Sequence, residues 1–131
     1  MQLIIIACDV HENPGPNKLL IAPANVRSLC PENRSLKIDE IESILFYQEK
    51  CDIICISESW LDSTIPDGQV AIDGFQIYRK DRFRQGNRRE ARGVAIYARD
   101  DIPIKRRLDL EVPEIELIIL ELITANKKVF I

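Results

Sequence analysis

Residues 36–50, LKIDEIESILFYQEK, place Ile38, Ile41 and Leu45 on one helical face, with Ile44 and Gln48 continuing the same period. Ser35 stands where an N-capping hydroxyl would. On each side lies an apolar run too short for a helix. Residues 18–22 (KLLIA) continue to Val26, and residues 52–57 (DIICIS) are bounded by charge. A helix between two such runs strongly restricts the fold. A hairpin has no room for a helix, so the two strands are expected to lie parallel with the helix as their crossover. Pro23 has no N–H to give to a ladder, which places the first strand at a sheet edge or interrupts it.

The rest of the chain reads mostly as strands. Residues 28–34 (SLCPENR) and 62–74 (DSTIPDGQVAIDG) carry loop chemistry. Residues 75–78 (FQIY), 93–99 (GVAIYAR), 116–124 (ELIILELIT) and 127–131 (KKVFI) read as strands, with Asn126 in the last turn. In residues 93–99, Val94, Ile96 and Ala98 alternate against Ala95, Tyr97 and Arg99. One parallel crossover followed by a run of strands predicts an α/β fold built on a mixed sheet. A single helix cannot cover both faces of such a sheet, so the 131 residues read as part of a fold.

Composition narrows the class. Hydrophobic residues at 46% and charged residues at 30% describe a globular chain rather than a disordered one. The net charge is −3, but residues 79–92 hold seven basic and two acidic side chains, so the local charge is +5 and the remainder carries −8. Cys8, Cys30, Cys51 and Cys55 form no CxxC pair, and His11 is the only histidine. A zinc site needs about four closely spaced Cys/His ligands, so buried thiols in a reducing compartment are expected instead. The apolar run of residues 3–7 is far shorter than the ~20 residues of a membrane span, so no membrane association is expected.

Two polar residues stand where the crossover unit would put a site. Asn25 ends the first strand and Glu58 ends the second. If the strands are neighbours, these ends lie side by side at the edge where open α/β sheets bind ligands. A carboxylate there suits a hard cation, because Mg²⁺ is commonly held by one or two carboxylates plus phosphate oxygens. The plainer reading makes Asn25 a turn residue and Glu58 a solvated strand end. The basic stretch likewise has two readings: a phosphate-contacting loop, or a solvated one with Gln85, Gly86 and Asn87 at its tip.

The ordered set "ANVRSL", a helix, "DIICISESWLDSTIPDGQVAIDGFQIYRKDR" and "RGVAIYARDDI" resembles the start of an endonuclease/exonuclease/phosphatase domain. It is most similar to the endonuclease of jockey-like non-LTR retrotransposons. That family opens with N-x-R-S-L, then D-I-(I/L)-x-(I/L)-(T/S)-E-(T/S)-W-L, a strand leading to (Y/F)-R-x-D-R, and a G-V-A-I-Y strand. The resemblance covers residues 17–131 and implies the N-terminal half of a four-layer α/β sandwich that hydrolyses phosphodiesters with Mg²⁺ or Mn²⁺. It makes Glu58 the metal ligand and Asn25 the residue that orients the phosphate. DNA is the implied partner, with Arg27, Arg79, Lys80 and Arg82 as candidate contacts. It also implies an intracellular site of action, nucleus or cytoplasm. Trp60 is expected to pack under the loop at the site rather than stack on a base.

The family's later parts, a G-D-(F/L)-N segment and an S-D-H with its histidine, are not present in the 131 residues. The chain is therefore expected to be a fragment that does not cut DNA by itself. Two alternatives stand beside this reading: a non-catalytic remnant that binds nucleic acid through its basic loop, and another phosphatase or phosphodiesterase of the superfamily.

Residues 9–16, DVHENPGP, close an apolar leader and resemble the ribosome-skipping signal of 2A peptides. That resemblance implies a leader of residues 1–15, a domain of residues 16–131, and a peptide bond between Gly15 and Pro16 that fails to form.

Overall fold

The computed structural model describes residues 19–30, 35–48, 51–81, 92–123 and 128–131. Gly15, Pro16, Arg82 and Asn126, with the leader and most of the basic stretch, lie outside the described residues.

The crossover unit forms as its pattern requires. Strand β1 (Ile21–Asn25) is followed by helix α1 (Ser35–Ser43), which widens into a π-helical turn (Ile44–Gln48) before strand β2 (Ile53–Ser57). Strands β1 and β2 pair in parallel, from Ile21 opposite Ile53 to Asn25 opposite Ser57. A short 3-10 turn (Asp67–Gln69) interrupts the loop before strand β3 (Phe75–Lys80), and strand β4 (Val94–Arg99) follows. The first sheet has the order β1-β2-β4-β3, with β4 antiparallel to both neighbours. Strand β1 is an edge, and Pro23 is exposed there, where its missing N–H costs no ladder bond.

The later strands do not extend this sheet. Strands β5 (Ile104–Arg106), β6 (Leu120–Ile123) and β7 (Lys128–Phe130) make a second, antiparallel sheet of order β5-β6-β7. Strand β6 is shorter than the pattern of residues 116–124 suggests. The residues before it bond elsewhere: the Ile119 N–H goes to Glu111 Oε1 at 3.0 Å and the Leu117 N–H to the Ile115 carbonyl at 2.9 Å. Among the described residues the fold is thus mixed α/β, mostly strands with one α-helix.

Both faces of the first sheet are covered, which explains why every residue of β2 is buried. Ile54 and Ile56 of β2, with Ala95 and Tyr97 of β4, pack against Ile41 and Leu45 of the helical segment. The same layer includes Leu61, Val70 and Ile72 from the long loop, so that loop covers the sheet much as the helix does. On the other face, Ile53, Cys55, Val94, Ile96 and Ala98 meet Ile118, Leu120, Leu122 and Ile131 around the second sheet. Each fully buried Ile or Leu contributes about 1.5–3 kcal/mol. The alternation along β2 divides that contribution between two cores.

One end of the first sheet is tied by Asp52. Its Oδ2 accepts from the Leu20 N–H at 2.8 Å, and its Oδ1 accepts from the Arg99 guanidinium. The Asp52 N–H donates to the Leu20 carbonyl, and the Arg99 N–H donates to the Asp52 carbonyl. These polar groups hold three strands together at the end remote from Asn25 and Glu58.

Candidate functional site

The parallel pairing of β1 and β2 brings Asn25 and Glu58 together. Asn25 Nδ2 donates to Glu58 Oε1 at 3.1 Å. The Arg27 N–H donates to Asn25 Oδ1 at 3.3 Å, which orients the amide so that its NH₂ faces the carboxylate. The sequence reading of neighbouring strand ends therefore becomes a direct contact. Arg27 is exposed beside it.

The backbone around this contact is unusual. Arg27 (φ 48°), Ser28 (φ 97°), Glu58 (φ 56°) and Trp60 (φ 54°) are the non-glycine residues with positive φ among those described, and they occupy two touching segments. The Ser28 N–H donates to the Glu58 carbonyl and the Leu29 N–H to the Ser59 carbonyl, each at 2.8 Å. From the other side, the Ser59 N–H reaches the Gly93 carbonyl at 3.0 Å and the Trp60 N–H reaches the Arg92 carbonyl at 2.9 Å. Residues 58–60 are thus clamped between residues 28–29 and 92–93. Left-handed backbone costs a non-glycine residue of order 1–3 kcal/mol and persists only where surrounding bonds over-determine it. Such strain concentrates at binding sites, and here it coincides with the edge that holds Glu58.

Ser59 points inward. It is completely buried, and its Oγ has no hydrogen-bond partner. Leu61 is also buried. Trp60, between them, is 40% exposed, which corrects the expectation that it packs beneath the loop. The signal for this lay in the alternation of Ser59, Trp60 and Leu61, but neither helix nor strand periodicity could be assumed for a loop.

Arg79 has a different task from the one expected of it. Its Nε and Nη2 grip the two oxygens of Asp81. Its Nη1 donates to the Ile65 carbonyl at 2.6 Å and to Asp67 Oδ1 at 3.1 Å, and its Nη2 also donates to the Asp62 carbonyl at 2.8 Å. A guanidinium has five N–H donors, and these bonds use all of them. The side chain is 13% exposed, so it holds the loop of residues 62–67 rather than facing a phosphate. Bonding to Asp81 outweighs the effect of burial and raises the Arg79 pKa.

Lys80 donates through Nζ to the Val112 carbonyl at 2.7 Å, which ties β3 to the segment before β6. Arg106 grips both oxygens of Glu111 at 3.0 Å and donates to the Arg79 carbonyl at 3.0 Å. The described members of the basic stretch are thus partly structural: Arg79 and Lys80 are engaged by the chain, while Arg92 is exposed next to Trp60.

Glu116, read from sequence only as part of a strand, reaches the same edge. Its Oε2 accepts the Gly93 N–H at 3.2 Å.

The donor set bears on the implied cation. Among the described residues no three His, Cys, Asp or Glu side chains gather closely enough to hold a metal ion. Glu58 offers one carboxylate and the Asn25 amide steadies it. That suits one ligand of a Mg²⁺ or Mn²⁺ ion whose other ligands include phosphate oxygens and water, and it falls short of a closed protein site.

No protein-family model matches this chain, and no curated protein matches it. No helix among the described residues is long and apolar enough to cross a membrane.

Proposed function

We propose that this chain carries the cation- and phosphate-binding edge of a metal-dependent endonuclease, in the N-terminal half of an endonuclease/exonuclease/phosphatase fold. The observation that carries this reading is the Asn25–Glu58 contact at the C-terminal ends of two parallel strands. The ordered motifs from "ANVRSL" to "RGVAIYARDDI" support it. In this reading Glu58 holds a divalent cation, which would polarise a phosphoryl oxygen and stabilise charge on a leaving oxygen. Asn25 holds the Glu58 carboxylate in place through one N–H and leaves its second N–H for a phosphate oxygen. Arg27, exposed on the adjoining turn, supplies positive charge for the DNA backbone. In an intact relative the product would be a nick whose 3′-hydroxyl primes reverse transcription.

Binding rather than turnover is the proper test, because one carboxylate and one amide do not complete a catalytic set. Mn²⁺ added to the labelled chain should broaden the amide signals of residues 25–28 and 57–60 before others, and Glu58→Gln should abolish that selectivity. Broadening centred elsewhere, or unchanged in Glu58→Gln, would refute the assignment. A second proposal concerns the leader: translation of a reporter fusion should yield two products separated between Gly15 and Pro16, and full-length fusion alone would refute it.

A further inference from the structure

We propose that Trp60 is a stacking platform for an unpaired nucleotide base, set beside the phosphate-binding edge formed by Asn25 and Glu58. The inference rests on the reading of that edge, and it names what lies next to the phosphate. Several large apolar side chains are exposed in this protein, including Leu108, Leu110 and Ile115. Trp60 differs from them in its setting. Its main chain is fixed on both sides, by the Trp60 N–H to the Arg92 carbonyl at 2.9 Å and by the Leu29 N–H to the Ser59 carbonyl at 2.8 Å. Its φ of 54° is left-handed, a conformation that an indole does not favour by itself. Ser59 and Leu61 occupy the inward positions on either side, so the ring is turned outward and left 40% exposed.

The surroundings match one class of ligand. Exposed guanidinium side chains stand on both neighbouring segments, Arg27 on one and Arg92 on the other. An exposed aromatic ring on a segment flanked by two arginine-bearing segments, next to a carboxylate–amide pair suited to a cation and a phosphate, is the chemistry of a nucleotide: base on the indole, phosphates toward the arginines. The base must be unstacked, because in a duplex both of its faces are covered by neighbouring bases. The occupant is therefore single-stranded DNA, or a nucleotide turned out of a duplex. The main chain that carries the ring is already fixed, so covering the ring orders little further backbone, which favours a preformed platform over a segment awaiting a protein partner.

The chain contains one tryptophan and three tyrosines, so fluorescence excited at the red edge, where tyrosine does not absorb, reports Trp60 alone. Short single-stranded DNA titrated into the full chain in EDTA should quench that emission saturably. Stacking of one base corresponds to about five-fold to about 150-fold in affinity. Binding of a dye-labelled strand, followed by anisotropy, should weaken by that factor in Trp60→Ala and recover largely in Trp60→Phe. A strand made of abasic sites should bind wild type and Trp60→Ala equally. Absence of quenching, or equal affinity of wild type and Trp60→Ala for the normal strand, would overturn the proposal. Because the titration contains no divalent cation, it separates the two claims. Quenching by DNA together with failure of Mn²⁺ to select Glu58 keeps the platform and removes the cation site. Selective Mn²⁺ broadening without quenching does the reverse.

Discussion

Gly93 lies so close to Ser59 that a Cβ on the glycine would come within 2.8 Å of the serine Oγ. Gly93 also has φ 97°, and its carbonyl accepts the Ser59 N–H. Gly93→Ala should therefore destabilise the protein by about 1–3 kcal/mol, from overpacking and left-handed strain together. The Ser59→Ala/Gly93→Ala double variant removes the opposing oxygen and should recover part of the loss, leaving the strain. Urea unfolding midpoints of the two single variants and the double measure this directly. Additive losses in the double would mean the two residues do not press on each other.

Arg79 gives a prediction that opposes a DNA-contacting role. Arg79→Lys keeps the charge but loses the fork that reaches Asp81, Asp67 and two carbonyls at once. The expected cost is about 1–3 kcal/mol, with faster amide exchange through residues 62–67. A change in DNA affinity with unchanged unfolding would return this side chain to the nucleic-acid surface.

Tyr97 is buried beneath the same loop, and its hydroxyl donates to the Val70 carbonyl at 2.6 Å. Burial is the main reason its phenol titrates far above the ordinary range. Tyr97→Phe preserves the ring packing and leaves the Val70 carbonyl without that donor. A loss of about 1–3 kcal/mol is expected in thermal or denaturant unfolding. A neutral substitution would show that water replaces the hydroxyl.

Acid should act through Glu111. Burial alone would raise its pKa, but the Arg106 fork and the Ile119 N–H outweigh burial and lower it from 4.5. The folded state therefore holds its proton less tightly than the unfolded chain does. The resulting stabilisation is complete above about pH 4.5 and is lost as pH falls through the depressed folded value. Asp109 behaves alike at the surface, where bonding to Arg107 lowers it to about 2. Unfolding midpoints measured from pH 6 down to pH 3 should fall for wild type and fall less steeply for Glu111→Gln. Parallel curves would place the acid sensitivity elsewhere.

Much of the first sheet was legible because its rules are local. The apolar period of residues 36–50 gives a helix, and the flanking runs are too short to be anything but strands. A helix between two strands then makes them parallel. That sets Asn25 and Glu58 at the ends of adjacent strands, although residues 26–57 separate them, and the structure shows that the two side chains meet. Strand β5 was not found, because Ile104, Lys105 and Arg106 carry little pattern in three residues. Val70 and Ile72 lie in the stretch of residues 62–74 that carries loop chemistry, and that loop forms part of the core cover.

The sequence by itself determined the β1–α1–β2 unit, narrowed Pro23 to a strand edge or an interruption, and put an amide and a carboxylate at the C-terminal ends of the unit's two strands. These follow from side-chain periodicity and from the short reach of a turn. Only the tertiary structure decided that the later strands form a second sheet, that Arg79 binds its own chain, and that Trp60 faces outward. A guanidinium has the same formula whether it meets a carbonyl or a phosphate, and its partners here come from residues 62, 65, 67 and 81, brought near by β3. The direction of an indole in a loop is set by what fills the space behind it. Ser59 and Leu61 take the buried positions on either side of Trp60, and the bonds that hold residues 58–60 in place come from segments distant in the sequence.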